Sequence, residues 1–242
     1  MTDRAREIKT LIMSFHPVVT IETLEEERVR TLLHAVALDL TIPLFEWSVT
    51  KGIENSTIKD GAPGTDQPLK LLRYLKDIER PSVFLLFDFA KHLNEPIIVR
   101  QFREVAQAFA RSRCTMILCG ESIELPTDLH HLSVTFDMRL PSREEMRQAV
   151  MQVLESINRT NRIKVQLGPK DVDDLLRTLS GMTLNQARQV IAYIAMGDGE
   201  LKANDLTAVI RRKAQLIRDG GVLEFFPVES NTHQLGGFAG LK

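Results

Sequence analysis

Residues 17–38 combine a short strand with a helix, and this stretch constrains the fold more than any other. Residues 18–21 (VVTI) are β-branched and follow a proline, which is typical of a buried β-strand. Thr23 and Glu26 form a T-x-x-E capping box for the helix that follows. The apolar residues of that helix repeat at helical spacing, namely Leu24, Val29, Leu32, Leu33 and Val36. The stretch predicts a strand, a tight turn and a helix.

This strand, turn and helix form the setting in which many proteins place a phosphate-binding loop. Such a loop needs glycines, so that backbone N–H groups can approach a phosphate, and a lysine to offset its charge. Residues 22–27 (ETLEEE) contain neither glycine nor lysine and supply four carboxylates instead. Carboxylates repel the phosphates of a nucleotide. We therefore predict the frame of a nucleotide-binding domain without its phosphate-binding chemistry.

Four further segments have the length and composition of strands, and helical segments separate them. In residues 82–89 (SVFLLFDF) a continuous apolar run is typical of a central strand that is covered on both faces. Residues 51–68 read as a polar loop, and residues 95–112 read as a long amphipathic helix. The alternation predicts an α/β fold with a five-stranded parallel sheet. The remaining predicted strands are residues 44–49, 115–118 and 133–138.

Pro141 marks a change of pattern, after which the sequence predicts helices only. Ser142 and Glu145 form a second capping box, and Thr183 is the expected N-cap of a later helix. We therefore place a domain boundary near Pro141. An α/β domain at residues 1–141 is expected to precede a small all-helical domain.

The overall composition argues against nucleic acid and membrane as partners. The formal net charge of −1 gives no long-range attraction to nucleic acid or to an anionic membrane. The N-terminus is too charged for a secretory signal, and no apolar run approaches the ~18 residues that a membrane helix needs. We therefore expect a protein of the cytoplasm or of an equivalent reducing compartment.

The two cysteines predict structural thiols. Cys114 and Cys119 are five residues apart on one predicted strand, so their side chains point to opposite faces and cannot form a disulfide with each other. His130 and His131 follow nearby, which leaves a zinc site as the alternative. The spacing of these four residues fits no standard zinc pattern. Buried thiols are the preferred interpretation.

Two segments resemble parts of a nucleotide site, and each has a simpler interpretation. Residues 61–65 (GAPGT) look like a phosphate loop, but they follow a polar stretch and lack the G-K-[ST] sequence. A flexible surface loop is the preferred interpretation. Asp88 ends the predicted central strand, where ATPases hold magnesium. No second carboxylate follows it, so the alternative is a residue that caps the next turn.

Charged residues elsewhere are weaker remnants of a site. Glu121 ends the fourth predicted strand, where an ATPase would carry a polar residue that positions water; it could equally cap a turn. Arg188 lies on the polar side of a predicted helix, where an active enzyme could use it to reach a nucleotide. Without a nucleotide we expect Arg188 to be solvated or bound to a carboxylate across an interface. The last helix is basic and is expected to present a solvated face, with nucleic-acid contact as the alternative; its cations are Arg211, Arg212, Lys213 and Arg218.

The order of these parts resembles an AAA+ ATPase module. VVTI stands where the phosphate-loop strand would be, FLLFD resembles the Walker B strand, and TMILCGE resembles the sensor-1 strand. SGMTLNQARQVI resembles a helix of the lid. The tail, from RRKAQLIRDGGVLEFF to ESNTHQLGGFAGLK, resembles the AAA ATPases of cyanobacteria and plastid genomes known as hypothetical chloroplast open reading frame proteins. In that family a degenerate AAA-like domain precedes a complete AAA ATPase domain.

The resemblance implies a domain scheme and a set of partners. Residues 1–141 would be a degenerate AAA+ domain, residues 142–225 its helical lid, and residues 226–242 a linker into a following AAA ATPase domain, with Gly236 and Gly237 in a G-G-h-x-x-L-K segment (h apolar) that resembles the one in that family. The following domain would bind ATP and magnesium. For this chain we expect no cofactor, no metal and no catalytic residue.

The implied function is that of a non-catalytic N-terminal module, which scaffolds the protein, recruits a partner and regulates the following motor domain. The expected partners are that following domain and further copies of the chain, through AAA–AAA contacts. The expected location is the cytoplasm or the plastid stroma. The alternative is a degenerate clamp-loader-like or initiator-like AAA+ subunit that binds DNA or a clamp.

Overall fold

The computed structural model describes residues 3–56, 61–161 and 163–219 of the 242-residue chain. It divides into two compact units, Met1–Arg139 and Leu140–Lys242. Gly236 and Gly237, together with the whole predicted linker at residues 226–242, lie outside the described residues.

The first unit is an α/β structure built on a seven-stranded, mostly parallel sheet. Its strands are β1 (Val18–Glu22), β2 (Leu44–Ser48), β3 (Gly52–Asn55), β4 (Gly61–Ala62), β5 (Val83–Phe87), β6 (Thr115–Gly120) and β7 (Ser133–Thr135). Its α-helices are α1 (Asp3–Met13), α2 (Glu26–Leu40), α3 (Pro68–Lys76) and α4 (Pro96–Ser112). The strand order across the sheet is β4-β3-β2-β5-β6-β1-β7.

The central strands β5 and β6 are buried along their whole length, because helices cover both faces of the sheet. On one face the aromatic residues Phe84, Phe89, Phe102 and Phe109 form a core with α3 and α4. On the other face α1 and α2 cover a core that includes Ile21, Val29, Leu33 and Phe87. These apolar faces set the register that brings the carboxyl ends of β1, β5 and β6 to one edge of the sheet.

The predicted count of five strands is wrong. Strands β2, β5, β6, β1 and β7 are parallel and correspond to the five predicted segments, but β3 and β4 extend the sheet beyond β2 in antiparallel order. Both extra strands lie in residues 51–68, where a polar loop was predicted. They are too short, at four and two residues, to show a clear period-two pattern in the sequence.

The GAPGT segment is part of this extension: most of it lies at the surface, as predicted, but it forms strand β4 and a turn in place of a flexible loop. Thr65 is buried, and its Oγ1 accepts a hydrogen bond from Ile53 N–H (2.9 Å) and donates one to Ala62 O (2.6 Å). The Thr65 carbonyl accepts a third hydrogen bond, from the Trp47 indole N–H (2.6 Å). A threonine in a glycine-rich segment therefore fixes the hairpin, and the segment has a structural role.

In the part of the second unit that the structure describes there are four α-helices and a small parallel sheet, so the prediction of an all-helical lid is wrong. The helices are α5 (Arg143–Asn161), α6 (Pro169–Leu179), α7 (Leu184–Asp198) and α8 (Leu206–Asp219). Strands β8 (Lys164–Gln166) and β9 (Glu200–Lys202) pair over three residues each, which is too short for a sequence signal. The predicted capping box of Ser142 and Glu145 is confirmed at α5, and Thr183 caps α7 with Gln186 as its reciprocal partner.

Among the described residues, the structure contains no helix with the length and apolar character needed to cross a membrane.

Candidate functional site

The carboxyl ends of β1, β5 and β6 meet at one edge of the first unit's sheet. We call the turns that follow these strands the carboxyl edge, and in open α/β sheets this is the edge where ligands bind. Thr23 N–H donates to Gly120 O (2.8 Å), and Asp88 N–H donates to Cys119 O (2.8 Å). These bonds bring the predicted remnants Asp88 and Glu121 to the same edge as the turn between β1 and α2.

The turn between β1 and α2 stands where a phosphate loop would lie, and its own side chains close it. Thr23 Oγ1 accepts a hydrogen bond from Glu25 N–H (3.0 Å), and α2 begins only at Glu26. The prediction that Thr23 caps the helix through a T-x-x-E box is therefore wrong, because Thr23 makes a tighter local turn instead. Leu24, predicted to join the apolar stripe, is 68% exposed because it lies in this turn.

A buried ion pair replaces phosphate contacts at the start of α2. Glu25 is 8% exposed and Arg28 is 10% exposed, and Arg28 Nη1 lies 3.2 Å from Glu25 Oε2. The same Nη1 donates a hydrogen bond to the carbonyl of Arg139 (2.6 Å). The helix start therefore contains its own cation and its own anion at the place where a phosphate would bind.

A second arginine fills the space between α2 and the ends of β2 and β5. Arg30 Nε donates to Glu46 Oε2 (2.9 Å), and its Nη1 lies 2.5 Å from Glu27 Oε1. The guanidinium lies 4.4 Å from the centre of the Phe87 ring, which is cation–π geometry. Burial alone would lower the pKa of Arg30, but the hydrogen bond and charge of Glu46, with the charges of Glu27 and Glu26, outweigh it and raise the pKa.

Glu22 ties the β1 turn to the turn after β6. Its Oε1 accepts a hydrogen bond from Ile123 N–H (2.9 Å), so the carboxylate lies across the edge of the sheet. A nucleotide phosphate at this position would meet a negative oxygen atom in place of an N–H donor.

Asp88 follows β5 but does not cap the next turn. Its backbone is left-handed, with φ of 54°, and its side chain makes no capping hydrogen bond to that turn. Asp88 Oδ1 lies 2.8 Å from Lys91 Nζ, and the hydrogen bond and charge of Asp88 raise the pKa of Lys91. A lysine therefore occupies the position beside Asp88 where an ATPase would hold magnesium.

The contacts of Glu121 and Arg188, the two other predicted remnants, do not bring them together in one site. Glu121 is exposed at the end of β6, where its charge acts on Lys91. Arg188 lies in the second unit on α7, where its guanidinium is near the amide oxygens of Asn185 (3.4 Å) and Gln152 (3.5 Å). Arg188 thus contacts amides of its own unit, where a solvated side chain or a carboxylate contact was expected.

The basic helix α8 is not simply a solvated face, so that prediction is wrong in part. Lys213 Nζ donates to the carbonyls of Thr178 (2.8 Å) and Ser180 (2.6 Å) at the end of α6, and burial lowers the pKa of Lys213. Arg212 stacks over the ring of Tyr193 at 5.0 Å. These two cations serve the packing of the second unit, which weakens the nucleic-acid alternative.

Both cysteines are buried free thiols, as predicted. Cys114 packs in the core under α3 and α4, and Cys119 packs in the core under α1 and α2, so they face opposite sides of the sheet. Burial, with smaller contributions from the charges of Glu26 and Asp88, raises the pKa of Cys119 to about 12.

This pKa predicts that Cys119 is inert in the folded protein. At pH 8 its thiolate population is about 1000-fold smaller than that of an ordinary cysteine, so modification by a thiol-specific disulfide reagent should slow by a similar factor. The measurement is the labelling rate in native buffer, with the denatured chain as the control for full reactivity. Labelling of Cys119 at the rate of the denatured chain would contradict the packing described for β6.

The turn between β1 and α2 does not have the residue types of a phosphate-binding loop. It lacks glycines and a lysine in the phosphate position, and its carboxylates and arginines are already engaged with each other. Within residues 3–56, 61–161 and 163–219, no group of three or more His, Cys, Asp or Glu side chains is placed to hold a metal ion. What this arrangement can do chemically is hold a rigid, charged surface.

Glu25 was predicted only as one of four carboxylates that repel phosphate, and its partner Arg28 and the pair of Arg30 and Glu46 were not singled out from the sequence. Part of the signal was present, because Glu25 and Arg28, like Glu27 and Arg30, are three residues apart on one helix. The contact between Arg30 and Glu46 joins a helix to a strand 16 residues later and has no local signature.

Two family models match the chain. The model of the SpoVK-like AAA ATPase N-terminal domain matches residues 4–138, and the model of the SpoVK-like AAA ATPase second domain matches residues 144–220. Curated relatives include the AAA domain-containing protein ycf46 of Pyropia yezoensis, 24% identical over 240 residues, and that of Guillardia theta, 25% identical. These matches span 98% of this chain but 47% and 46% of the relatives. The chain therefore covers about half the length of the curated relatives that it matches.

Solved structures of AAA proteins share the fold. The FIGL-1 AAA domain in complex with ADP aligns with a TM-score of 0.60 at 15% identity, covering 87% of this chain and 81% of that domain. A chain of the Escherichia coli MS115-1 HORMA:CdnC:Trip13 complex aligns with a TM-score of 0.52 at 13% identity, covering 86% of each chain. At these identities the alignments establish the fold alone.

Proposed function

The chain belongs to the SpoVK-like AAA ATPases, and from this premise we propose that it is a non-catalytic N-terminal module of a longer AAA ATPase. In this role it scaffolds the protein, recruits a protein partner and regulates an ATP-hydrolysing AAA domain that follows it. The share of the relatives that the chain matches, about half, supports the idea of a following domain.

The buried pair of Glu25 and Arg28 is the observation that carries this proposal. The pair lies at the start of α2, where the family's fold would receive the nucleotide phosphates. A phosphate cannot approach this helix start unless Glu25 is displaced, and displacing Glu25 would leave a buried arginine without this carboxylate. The same charges that exclude phosphate also fix the turn, so the fold does not depend on bound nucleotide for its order.

This chain works without nucleotide or metal, and ATP with magnesium belongs to the following domain. Residues 1–141 serve as the degenerate AAA+ domain, residues 142–225 as its lid, and residues 226–242 as the linker, with Gly236 and Gly237 near its end.

We expect the chain to associate with further copies of itself, as AAA proteins commonly do, and to work in the cytoplasm or in the plastid stroma. The relatives from algae support the plastid setting.

Substitution of Asp88 tests the non-catalytic role. In a protein that carries this chain and the following AAA domain, Asp88→Ala should leave the steady-state ATPase rate within about twofold of the unmodified protein, because this carboxylate holds no catalytic metal. The rate is measured as phosphate release at saturating ATP. Lys91→Ala is the matched control, since it removes the same ion pair and retains the carboxylate. A near-total loss of activity in Asp88→Ala alone would overturn the proposal.

A further inference from the structure

Opposite edges of the first unit's sheet carry opposite charge, and each presents exposed apolar side chains. The carboxyl edge was defined above. We call the residues that precede β1, β5 and β6 the amino edge; they are residues 13–17, 79–82 and 111–114. Because the three strands are parallel, the two edges lie at opposite ends of the same strands.

The carboxyl edge is acidic around an exposed leucine. In its three turns and at the start of α2, carboxylates outnumber cations; the carboxylates include Glu22, Glu25, Glu26, Glu27, Asp88, Glu121 and Glu124, and the cations include Arg28, Arg30 and Lys91. Leu24 projects from the β1 turn, which is held by the hydrogen bonds of Thr23, Glu22 and Arg28. The edge therefore presents an apolar residue on a rigid support, which loses little conformational entropy on binding.

The amino edge is basic around an exposed aromatic residue. Phe15 is 45% exposed, and Met13, at the end of α1, is 56% exposed. The guanidinium of Arg113 lies 5.0 Å from the centre of the Phe15 ring. Arg80 and Arg111 are also exposed here. Asp77 and Glu79 are close by in the sequence, and their negative charges offset part of the positive charge of these arginines. Aromatic, methionine and arginine side chains are the types enriched in protein interfaces.

Phe15 is also held in an unfavourable backbone conformation. Its φ is +62°, in the left-handed region that a bulky side chain rarely adopts. This conformation ends α1, because Phe15 N–H donates to the carbonyl of Ile12 (3.2 Å) and His16 N–H donates to the carbonyl of Leu11 (3.4 Å). The turn leaves the aromatic ring at the surface of the molecule.

We propose that the amino edge of one copy of this chain docks on the carboxyl edge of a second copy. Phe15 and Met13 would contact Leu24. Arg80, Arg111 and Arg113 would lie near the carboxyl edge, where carboxylates outnumber cations. Such a contact joins two different surfaces, so each copy keeps one free edge of each kind after pairing. The inference rests on the self-association in the proposed function and is independent of the loss of nucleotide binding.

Sedimentation velocity of the full 242-residue chain tests this contact with three variants. Leu24→Asn removes the apolar residue of the carboxyl edge. Phe15→Asn removes the ring of the amino edge, and asparagine tolerates the left-handed backbone there. Leu38→Asn is the matched control, because Leu38 is 83% exposed on α2 and lies outside both edges.

The unmodified chain and Leu38→Asn should self-associate at about 100 μM and do so less as salt increases, since charges contribute to the contact. Leu24→Asn and Phe15→Asn should each weaken association about tenfold or more. Mixing these two variants should give a 1:1 dimer, because the intact amino edge of Leu24→Asn can dock on the intact carboxyl edge of Phe15→Asn. This dimer should not grow further, because its two remaining edges are the altered ones.

Three results would overturn the proposal. They are a monomeric unmodified chain, edge variants that associate as well as Leu38→Asn, and a mixture that gains no dimer. Nucleotide titration of the same samples shows separately whether the non-catalytic role fails.

Discussion

Replacing Arg28 with methionine should lower the free energy of unfolding of the first unit by about 3 kcal/mol, because it removes one partner of a buried ion pair. Methionine retains most of the apolar stem but loses the contact with Glu25 and the hydrogen bond to the Arg139 carbonyl. The chain's single tryptophan, Trp47, is fully buried in the first unit. Its fluorescence during urea denaturation therefore follows the unfolding of this unit alone.

A second, exposed ion pair is the control that distinguishes the effect of burial from the effect of losing a charge. Asp3 and Arg6 are also an acid and an arginine three residues apart on a helix, but both are exposed, so Arg6→Met should cost less than about 0.5 kcal/mol. Adding Glu25→Gln to Arg28→Met should recover part of the lost stability, because it removes the negative charge that would remain buried. Equal effects of Arg28→Met and Arg6→Met would contradict the structure of the β1 turn.

Replacing Arg30 with methionine should lower the same free energy by about 2 kcal/mol, through the lost charged hydrogen bonds and the lost contact with the Phe87 ring. Three carboxylates, Glu26, Glu27 and Glu46, would remain close together without this guanidinium. Trp47 fluorescence again reports the change.

Lysine at the same position is the informative control. Arg30→Lys keeps the charge, but an ammonium group cannot lie flat on a ring while it donates to several carboxylates. We therefore expect it to recover less than half of the loss. Full recovery would mean that net charge alone matters at this position and that the planar contact with Phe87 contributes nothing.

The sequence predicted the frame of the first unit because that frame rests on long apolar runs. The central run before Asp88 and the VVTI strand both form parallel strands, as predicted. The resemblance to the plastid-type AAA ATPases is confirmed by the family models and by the ycf46 relatives.

The features that were mispredicted depend on contacts between distant residues or on very short segments. Thr65 fixes the hairpin of β3 and β4 through bonds to Ile53 and Trp47, which lie 12 and 18 residues earlier in the sequence. Lys213 reaches carbonyls more than 30 residues away in α6. Neither contact has a local pattern, so a surface loop and a solvated helix were the natural predictions.

Residue types led to the prediction of a site without phosphate-binding chemistry, and the contacts that its side chains make were not predicted. Four glutamates in residues 22–27 indicated repulsion of phosphate. The sequence could not assign them different roles, because those roles depend on which carboxylate turns inward. In the structure Glu22 binds Ile123 N–H, Glu25 pairs with Arg28, and Glu27 contacts Arg30.

Titration calorimetry of the full chain with magnesium ATP and with ADP tests the central claim most directly. The FIGL-1 AAA domain, whose structure was solved with ADP, is the positive control. We predict no heat of binding for this chain at about 100 μM protein and millimolar nucleotide. Any remaining contact would then have a Kd above the millimolar range, which corresponds to a binding free energy of less than about 4 kcal/mol. Saturable binding of one nucleotide per chain would contradict the account, and Asp88 and Arg188 would then be the first positions to substitute.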